Sequence, residues 1–588
     1  MTASTPTEQD PIWLDSFAEW TPAHLEYGDR TLLDIYAENL ARNAEKPALY
    51  FFGRVTTYLE MDIQIRRAAA GLKAFGVRPG DKVALVMPNC PQHVIAFWAV
   101  LKLGATVVEH NPLYTAHELT HPFNDHGARI AICWDKSAPT LEELRETTPL
   151  ETIIAVNMVE AMPRSMRLAL KLPIPGVKKK LEKLTGAAPN TVPWEALVGN
   201  AIGGDGHDFQ DAEGITTDSV ALILYTSGTT GNPKGAQLTH GNLVANIIQG
   251  RSWVPGLGEE DEILLAALPM FHAYGMTMNI TLGMLIGGEI VLLPAPDLKL
   301  IMQVMKKHTP TWLPGVPTLY EKIIDTAQEV GLNIDGVTNS FCGASSLPPR
   351  TVERWETHTG GLLVEGYGLT ETGPVIVGNP MDGNRRPGYV GIPFPDTYVR
   401  IADPDDLDKT QPYGTEGEIL VKGPQVFKGY LNQPEATAAS FHKGWYRTGD
   451  VGVMEEDGFI KIVARIKEVI ITGGFNVYPA EVEEALLTHP DIEAATVVGM
   501  PREDGSENVV AAVTLTEGAA MDPDGLKAHC RELLTRYKVP RTFYHFDEMP
   551  TDQIGKVRRR EVRDQLIERY GSDEDKARLA ARRAKEQG

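Results

Sequence analysis

Between residues 30 and 365, apolar runs of strand length alternate with longer segments whose apolar positions recur at helical spacing. The runs fall at 83–87, 128–134, 152–156, 221–225, 289–293 and 362–365. Strands alternating with helices predict parallel βαβ units, and so a large α/β region. After Gly373 the texture changes to short strand patterns at 398–401, 418–421 and 458–463, broken by Pro and Gly. That predicts a small β-rich, barrel-like subdomain. Beyond Arg465 it changes again. Pro479 opens a helical pattern at 480–487, as proline suits a first turn, and strand patterns follow at 494–498 and 509–515. The shifts divide the chain into an N-terminal region at 1–464, with its β-rich part at 374–464, a small C-terminal α/β domain at 465–570, and a tail at 571–588. The tail is charged and lacks a wide apolar face, so a frayed helix or a disordered end is expected.

Composition changes the picture in five places. A chain of 588 residues, 43% hydrophobic, can bury more than one core. Its most apolar stretch, 276–295, carries Asn279, Gly287-Gly288 and Glu289, and reads as a core helix followed by a strand, not a membrane span. Cys90, Cys133, Cys342 and Cys530 lie far apart without metal-ligand spacing, which suits reduced thiols in a cytosolic protein. The first ten residues have neither a basic n-region nor an apolar core, so no secretory signal is expected. A net charge of -22 argues against a general nucleic-acid binder.

One segment runs against that charge. Residues 164–183 hold seven basic residues and one acid, Glu182, among Met166, Leu168, Leu170, Leu172, Ile174 and Val177. The pattern suits contact with an anionic membrane surface, and suits equally well a solvated basic insertion; both readings stand. Pro163, Pro173 and Pro175 exclude one long helix. A cytoplasmic protein is the expectation, with peripheral contact at the inner face of the cell membrane as one of the two readings of this segment.

The candidate chemistry begins at Tyr225-Thr226-Ser227-Gly228-Thr229-Thr230-Gly231-Asn232-Pro233-Lys234-Gly235, which follows a buried strand pattern. Glycines let backbone N–H groups approach an anion, the hydroxyls add donors, and Lys234 adds positive charge. The carboxyl end of a strand is where open α/β sheets hold ligands. The order is not that of a Walker A loop. Further motifs follow: Leu268-Pro269-Met270-Phe271-His272, Gly366-Tyr367-Gly368-Leu369-Thr370-Glu371-Thr372, Tyr446-Arg447-Thr448-Gly449-Asp450, Arg465-Ile466-Lys467-Glu468 and Gly555-Lys556. Together they resemble the adenylate-forming superfamily, over about residues 30 to 565.

The resemblance implies the adenylating-enzyme fold: a large N-terminal domain of α/β subdomains with a small β-barrel-like subdomain, then a small mobile C-terminal α/β domain. It also implies a set of roles. Thr226, Ser227, Gly228, Thr229, Thr230, Gly231 and Lys234 hold ATP phosphates. Gly343, Glu365, Gly366, Tyr367, Asp450, Arg465 and Lys467 complete the nucleotide site, with Tyr367 beside adenine and Asp450 on the ribose hydroxyls. Thr370 contacts the α-phosphate, and Glu371, with Thr226, ligates Mg2+. Lys556 supplies positive charge to the adenylation transition state. Residues 465–468 form the hinge, where many relatives have Asp or Gly in place of Ala464, and Gly473, Gly474 and Phe475 approach the coenzyme A thiol after rotation.

The acid is narrowed by resemblance too. Amino-acid-activating relatives place Asp after the motif's Phe, where this chain has His272, so an α-amino acid is not expected. His272, Tyr274, Gly275, Met276, Val316 and Gly368 are the acyl-pocket candidates; for most of them a plain core role explains the residue type as well. Asn111-Pro112-Leu113-Tyr114-Thr115, with Glu118-Leu119 and Asn124-Asp125, resembles bacterial long-chain fatty-acid-CoA ligases. The expected reaction is ATP-dependent formation of acyl-AMP and then acyl-CoA from a fatty acid, with ATP, Mg2+ and coenzyme A. Loading of a carrier protein, a medium-chain or aryl substrate, and a luciferase-like oxidation are the alternatives. A homodimer is allowed for.

Overall fold

In the computed structural model of the chain, the described residues are 11–226, 233–472, 475–502, 507–552 and 555–587. The predicted alternation produces two large sheets. In the eight-stranded sheet, Lys82–Val86, Thr106–Glu109, Ile130–Trp134, Thr152–Val156 and Val220–Thr226 run parallel. Lys234–Thr239 turns back antiparallel on Val220–Thr226, with Lys234 opposite Thr226. The glycine-rich candidate loop therefore joins two strands of a hairpin, where a βαβ unit would continue into a helix. In the nine-stranded sheet, Glu289–Leu292, Ile263–Ala266, Trp312–Gly315, Asn339–Cys342 and Leu362–Gly368 form the parallel centre.

Helices cover these sheets, and their starts are chemically marked. Thr31, Thr57, Thr115 and Thr239 each accept from the backbone three residues on, while Asp34, Glu60, Glu118 and Asn242 return the bond. Such reciprocal caps satisfy N–H groups that a helix leaves without internal partners. Helix Pro91–Lys102 is buried on every side, which explains its nearly unbroken apolar sequence. The apolar stretch from 276 forms a π-helical segment Met276–Thr281, helix Leu282–Ile286 and strand Glu289–Leu292, as a core element should.

The β-rich part begins later than its texture implied. Val375–Gly378 and Ile392–Pro393 pair antiparallel beside Leu362–Gly368, so they extend the nine-stranded sheet. The separate six-stranded sheet starts at Tyr398–Asp403 and ends with Ile460–Arg465. In the C-terminal region, Ile492–Pro501, Glu507–Leu515 and Thr542–His545 make a three-stranded sheet. Side chains alternate across it: Val497, Val509, Ala511 and Val513 pack one core, and Val498, Val510 and Ala512 another. Both are separate from the large core that spans the two N-terminal sheets and from the smaller cluster around Phe123 and Leu141.

The tail folds as helix Asp573–Gln587. Ser572 and Asp575 exchange hydrogen bonds at its start, Leu579 is buried, and Arg582 pairs with Asp564 at 2.5 Å, contacts that composition alone does not announce. The basic segment forms two short helices, Arg164–Ala169 and Pro175–Leu184, divided at the prolines. Among the described residues no helix is long and apolar enough to cross a membrane.

Candidate active site

The candidate residues gather where strand Leu362–Gly368 leaves the nine-stranded sheet. Backbone packing there dictates the motif. A Cβ at Gly366 would lie 2.2 Å from the Phe341 ring, and one at Gly368 would lie 1.9 Å from the Pro374 carbonyl oxygen. Glycine on both sides of Tyr367 is therefore a steric requirement. A short 3-10 turn, Thr370–Thr372, then presents Thr370 and Glu371.

Tyr367 and Asp450 meet directly: the Tyr367 hydroxyl donates to Asp450 Oδ2 at 2.5 Å. Arg465 Nε pairs with Asp450 Oδ1 at 2.8 Å, because Asp450 and Arg465 face each other in the antiparallel ladder. Burial pushes the Asp450 carboxyl above its usual range, against Arg465, the Tyr367 hydrogen bond and Lys556. Each Asp450 oxygen has a second lone pair through which it could accept from a ribose hydroxyl.

Glu371 is buried, and burial raises its pKa, against a hydrogen bond from Tyr430 and the nearby Arg465. Its Oε1 accepts from the Tyr430 hydroxyl at 2.8 Å, and its backbone carbonyl accepts from Phe427 N–H at 2.8 Å. The Lys234 ammonium sits 5.1 Å from the Tyr430 ring centroid, a cation–π distance. Tyr430 was not among the residues expected from sequence, yet it joins the glycine-rich hairpin to Glu371.

The loop residues Ser227, Gly228, Thr229, Thr230 and Gly231 lie outside the described residues, but both stems are described. The Tyr225 hydroxyl donates to Asp125 Oδ2 at 2.8 Å, and the His121 ring meets the Pro233 carbonyl at 3.1 Å. Thr226 and Lys234 are half-buried at the two stems.

Of the expected acyl residues, Tyr274, Gly275, Met276 and Val316 are buried, while Gly368 lies against Pro374 and His272 neighbours Asp552 and Lys556. Tyr274 donates to the Phe341 carbonyl and reaches the Gly315 carbonyl at 3.4 Å. A Cβ at Gly343 would press on the Tyr274 ring at 3.2 Å, and one at Gly275 would lie 2.1 Å from the Pro269 carbonyl oxygen. Met276 and Val316 are buried in the large core. Glu365 is buried, and burial lifts its carboxyl to about 8.

Lys556 arrives from the other domain. Asp552 organises its hairpin: Lys556 N–H donates to Asp552 Oδ1 at 2.9 Å, and Asp552 N–H to the Lys556 carbonyl at 2.8 Å. Gly555, at φ +81, takes a left-handed conformation that favours glycine. A Cβ there would sit 3.2 Å from Thr318 Oγ1 of the N-terminal region. Lys556 is exposed by area, but surrounding protein bulk and Arg465 lower its pKa, while Glu468, Asp450 and Asp552 oppose the shift. Burial lowers the His272 pKa; Asp552 opposes that shift and Lys556 adds to it, so these three groups share one neighbourhood. Strand Ile460–Arg465 continues into turn Ile466–Glu468, whose Glu468 pairs with Arg559 of the C-terminal domain. The Lys467 side chain is outside the described set.

Gly473 and Gly474 are likewise outside the described residues, as is the side chain of Phe475. Strand Ile470–Thr472 ends beside a cavity of about 470 Å³ that sequence reading had missed. Arg502, Lys527, Arg531, Arg536 and Arg541 line it together with Thr472. These cations are spread over forty positions, so no run in the sequence signals them.

The donor chemistry fits Mg2+. Glu371 offers a carboxylate with Oε2 beyond the Tyr430 bond, and Thr226 offers a hydroxyl, both hard oxygen donors. Among the described residues there is no cluster of three or more His, Cys, Asp or Glu side chains that could hold a metal. A sparse protein contribution is normal for a Mg2+ that takes its other ligands from phosphates and water.

Comparison with known proteins gives concordant results. The family described as AMP-binding enzyme matches residues 36–431, and AMP-binding enzyme C-terminal domain matches 481–556. A long-chain-fatty-acid–CoA ligase of Bacillus subtilis (strain 168) is 35% identical over 564 residues, covering 95% of this chain and 98% of the relative. A feruloyl-CoA synthase of Amycolatopsis sp is 34% identical over 512 residues, covering 87% and 94%. Among solved structures, ATP-bound MatB from Rhodopseudomonas palustris superposes with a TM-score of 0.78 at 28% identity, covering 92% of this chain and all of its own. The apo crystal of the same protein, at the same coverage, gives 0.68.

Proposed function

The chain belongs to the AMP-binding enzyme family, and from that premise we propose that it is a long-chain fatty-acid–CoA ligase. In the first half-reaction the fatty-acid carboxylate oxygen attacks the α-phosphorus of ATP, the bond to pyrophosphate breaks, and acyl-AMP forms. In the second, the coenzyme A thiol sulfur attacks the acyl carbonyl carbon, the bond to AMP breaks, and acyl-CoA leaves with AMP as the second product.

The observation that carries this reading is the docking of the Lys556 hairpin on the N-terminal cleft, with Gly555 against Thr318 and Lys556 in the field of Asp450 and Arg465. In-line attack on a phosphate gathers negative charge, and positive charge aimed at it lowers the barrier. Lys556 supplies that charge from the C-terminal domain and Lys234 from the glycine-rich hairpin. Asp450 orients the ribose, Tyr367 the adenine, and Thr370 the α-phosphate. Glu371 and Thr226 would hold Mg2+, which would supply further charge neutralisation.

For the second half-reaction Lys556 withdraws about the 465–468 hinge and Gly473-Gly474-Phe475 comes forward. The five cations beside Thr472 support this half, since guanidinium forks suit the phosphates of coenzyme A. The long-chain assignment is supported by the named activity of the Bacillus subtilis relative and by the apolar Tyr274–Met276–Val316 wall. An aryl acid is the second reading, favoured by the feruloyl-CoA synthase relative. AMP release with C4 to C18 and aryl acids, with and without coenzyme A, tests both. Preference for aryl acids overturns the long-chain assignment, and indifference to coenzyme A overturns the acceptor in favour of a carrier protein.

The reading extends to peripheral contact with an anionic membrane through 164–184, where Leu168, Leu172 and Ile174 are 68%, 50% and 52% exposed among the lysines and arginines. A homodimer is the assembly it allows, and light scattering of the purified protein decides that point.

A further inference from the structure

Lys234 opens strand Lys234–Thr239 and Glu371 lies in the turn after strand Leu362–Gly368; the two carry opposite charge, yet no ion pair joins them among the described residues. Tyr430 stands between the two. Its ring faces the Lys234 ammonium at 5.1 Å, and its hydroxyl holds Glu371 Oε1 at 2.8 Å. The position is rigid. Tyr430 pairs with Ala236 in the ladder beside Lys234, its N–H donates to Thr437 Oγ1 at 2.9 Å, and its ring packs edge-on against Phe427 at 4.9 Å. Phe427 in turn holds the Glu371 carbonyl, so both ends of Glu371 are tied to one short segment.

We propose that Tyr430 is a positioning residue that keeps Lys234 and Glu371 apart and fixes which Glu371 oxygen is offered to a divalent cation. A lysine and a glutamate left facing each other in a half-buried cleft would pair, and that pair would have to break before phosphate and metal could bind. The aromatic ring satisfies the ammonium without neutralising it, and the hydroxyl occupies one acceptor position of Oε1, which leaves Oε2 clear of that bond. The proposal rests on the assignment of Glu371 to the metal and of Lys234 to ATP phosphate.

The two functions of the side chain separate by substitution. Tyr430→Phe keeps the ring and loses the hydroxyl, whereas Tyr430→Leu loses both. The readout is Mn2+ retention, followed by electron paramagnetic resonance in the presence of a non-hydrolysable ATP analogue, beside nucleotide binding measured in EDTA. Tyr430→Phe is expected to weaken Mn2+ retention by about tenfold, the size of one hydrogen bond to a charged group, with metal-free nucleotide binding changed less than about twofold. Tyr430→Leu is expected to weaken both, and adding Lys234→Met to it is expected to give no further loss in EDTA, because the lysine is already captured.

Glu371→Gln is the control for the underlying assignment. Parent-like Mn2+ retention in Glu371→Gln overturns the metal role of Glu371 itself. Loss in Glu371→Gln together with parent-like retention in Tyr430→Phe overturns the positioning role alone. Equal loss of metal and metal-free nucleotide binding in Tyr430→Phe, with a lowered melting temperature, reduces Tyr430 to a packing residue and also overturns it.

Discussion

The two halves of the candidate site are built by opposite means. Around Tyr367, Asp450, Arg465 and Glu371 the polar atoms are tied to partners far away in sequence: Tyr367 to Asp450 across 83 positions, Glu371 to Tyr430 across 59. These groups are held by strands that share one large core, so their geometry exists before any ligand arrives. The Lys556 hairpin is held chiefly by itself, through Asp552, and touches the N-terminal region at Gly555 and Thr318. Its domain carries its own cores on both faces of its sheet. A group on an independently folded unit can leave without unfolding anything. On the proposed reading, the contrast separates a fixed nucleotide cleft from a charge, that of Lys556, which the C-terminal domain delivers to it.

The sharpest way to break that contrast is Lys556→Ala. Pyrophosphate release with fatty acid and ATP is expected to fall by about a hundred- to a thousandfold, the usual cost of one transition-state contact. Thioester formation from supplied acyl-AMP is expected to survive, because Lys556 has withdrawn by then. Equal loss in both half-reactions would make the lysine part of the fixed cleft.

Asp450→Asn attacks the fixed half. It leaves Arg465 and Tyr367 facing a neutral amide, and AMP is handled in both half-reactions, so both are expected to slow by about ten- to a hundredfold, with loss of about 1–2 kcal/mol of stability for the weakened pair. Loss confined to adenylation would contradict the shared role of the ribose contact, which paired half-reaction assays reveal.

The same comparison predicts different pH profiles. Glu371 and Asp450 have raised pKa values, so they take up protons at a higher pH than ordinary carboxylates, and activity falls as pH drops through that window. Lys556 has a lowered pKa and loses its charge at a lower pH than an ordinary lysine, so adenylation falls as pH rises. The basic limb is expected in the first half-reaction alone, and Lys556→Arg is expected to move it upward. A basic limb shared by both half-reactions, or one untouched by Lys556→Arg, assigns it to another group.

What could be read from the chain follows the same division. Gly366 to Thr372 is legible because a strand end, two sterically required glycines and the chemistry are contiguous. The Lys556 hairpin is legible because Gly555 and the lysine are adjacent in the chain. Tyr430 is not, because its meaning lies in a contact with a residue 59 positions earlier. The five cations beside Thr472 are not, because separate elements bring them together. The boundary at 374 was misplaced because short strands flanked by glycine and proline look alike whichever sheet takes them. Pairing of Gly366 with Gly378 across the ladder decides it.

Bulky substitution at Gly473 or Gly474 probes the delivered half from its other face. Coenzyme A transfer is expected to slow by roughly tenfold while acyl-AMP accumulates, as a backbone approach to the thiol is blocked. Replacing Arg531 and Arg536 by Gln is expected to raise the KM for coenzyme A by a similar factor, since charge-assisted phosphate contacts are lost. Unchanged KM for coenzyme A in that double variant would remove the cavity from the reading.

The smallest effect on turnover is expected at the basic segment 164–184, which carries none of the candidate site residues. Lys178, Lys179 and Lys180 are exposed on helix Pro175–Leu184, and Leu168, Leu172 and Ile174 are exposed just before it, while Leu181 and Leu184 pack inward. A soluble surface rarely groups apolar side chains in this way beside a basic run. An anionic bilayer would suit both: headgroups would attract the lysines, and the leucines and isoleucine would enter the boundary below them. Lys178→Gln, Lys179→Gln and Lys180→Gln combined are expected to weaken binding to anionic liposomes by roughly tenfold at low salt. Raised salt should mimic the loss, because exposed charges are screened beyond about 10 Å at 0.1 M. Turnover on a short soluble acid should not change, since the hairpin at Lys234 and the loop at Lys556 are untouched. Binding of the triple variant equal to that of the parent at low salt would reduce the segment to a solvated insertion, and the fatty acid would have to reach the cleft through water.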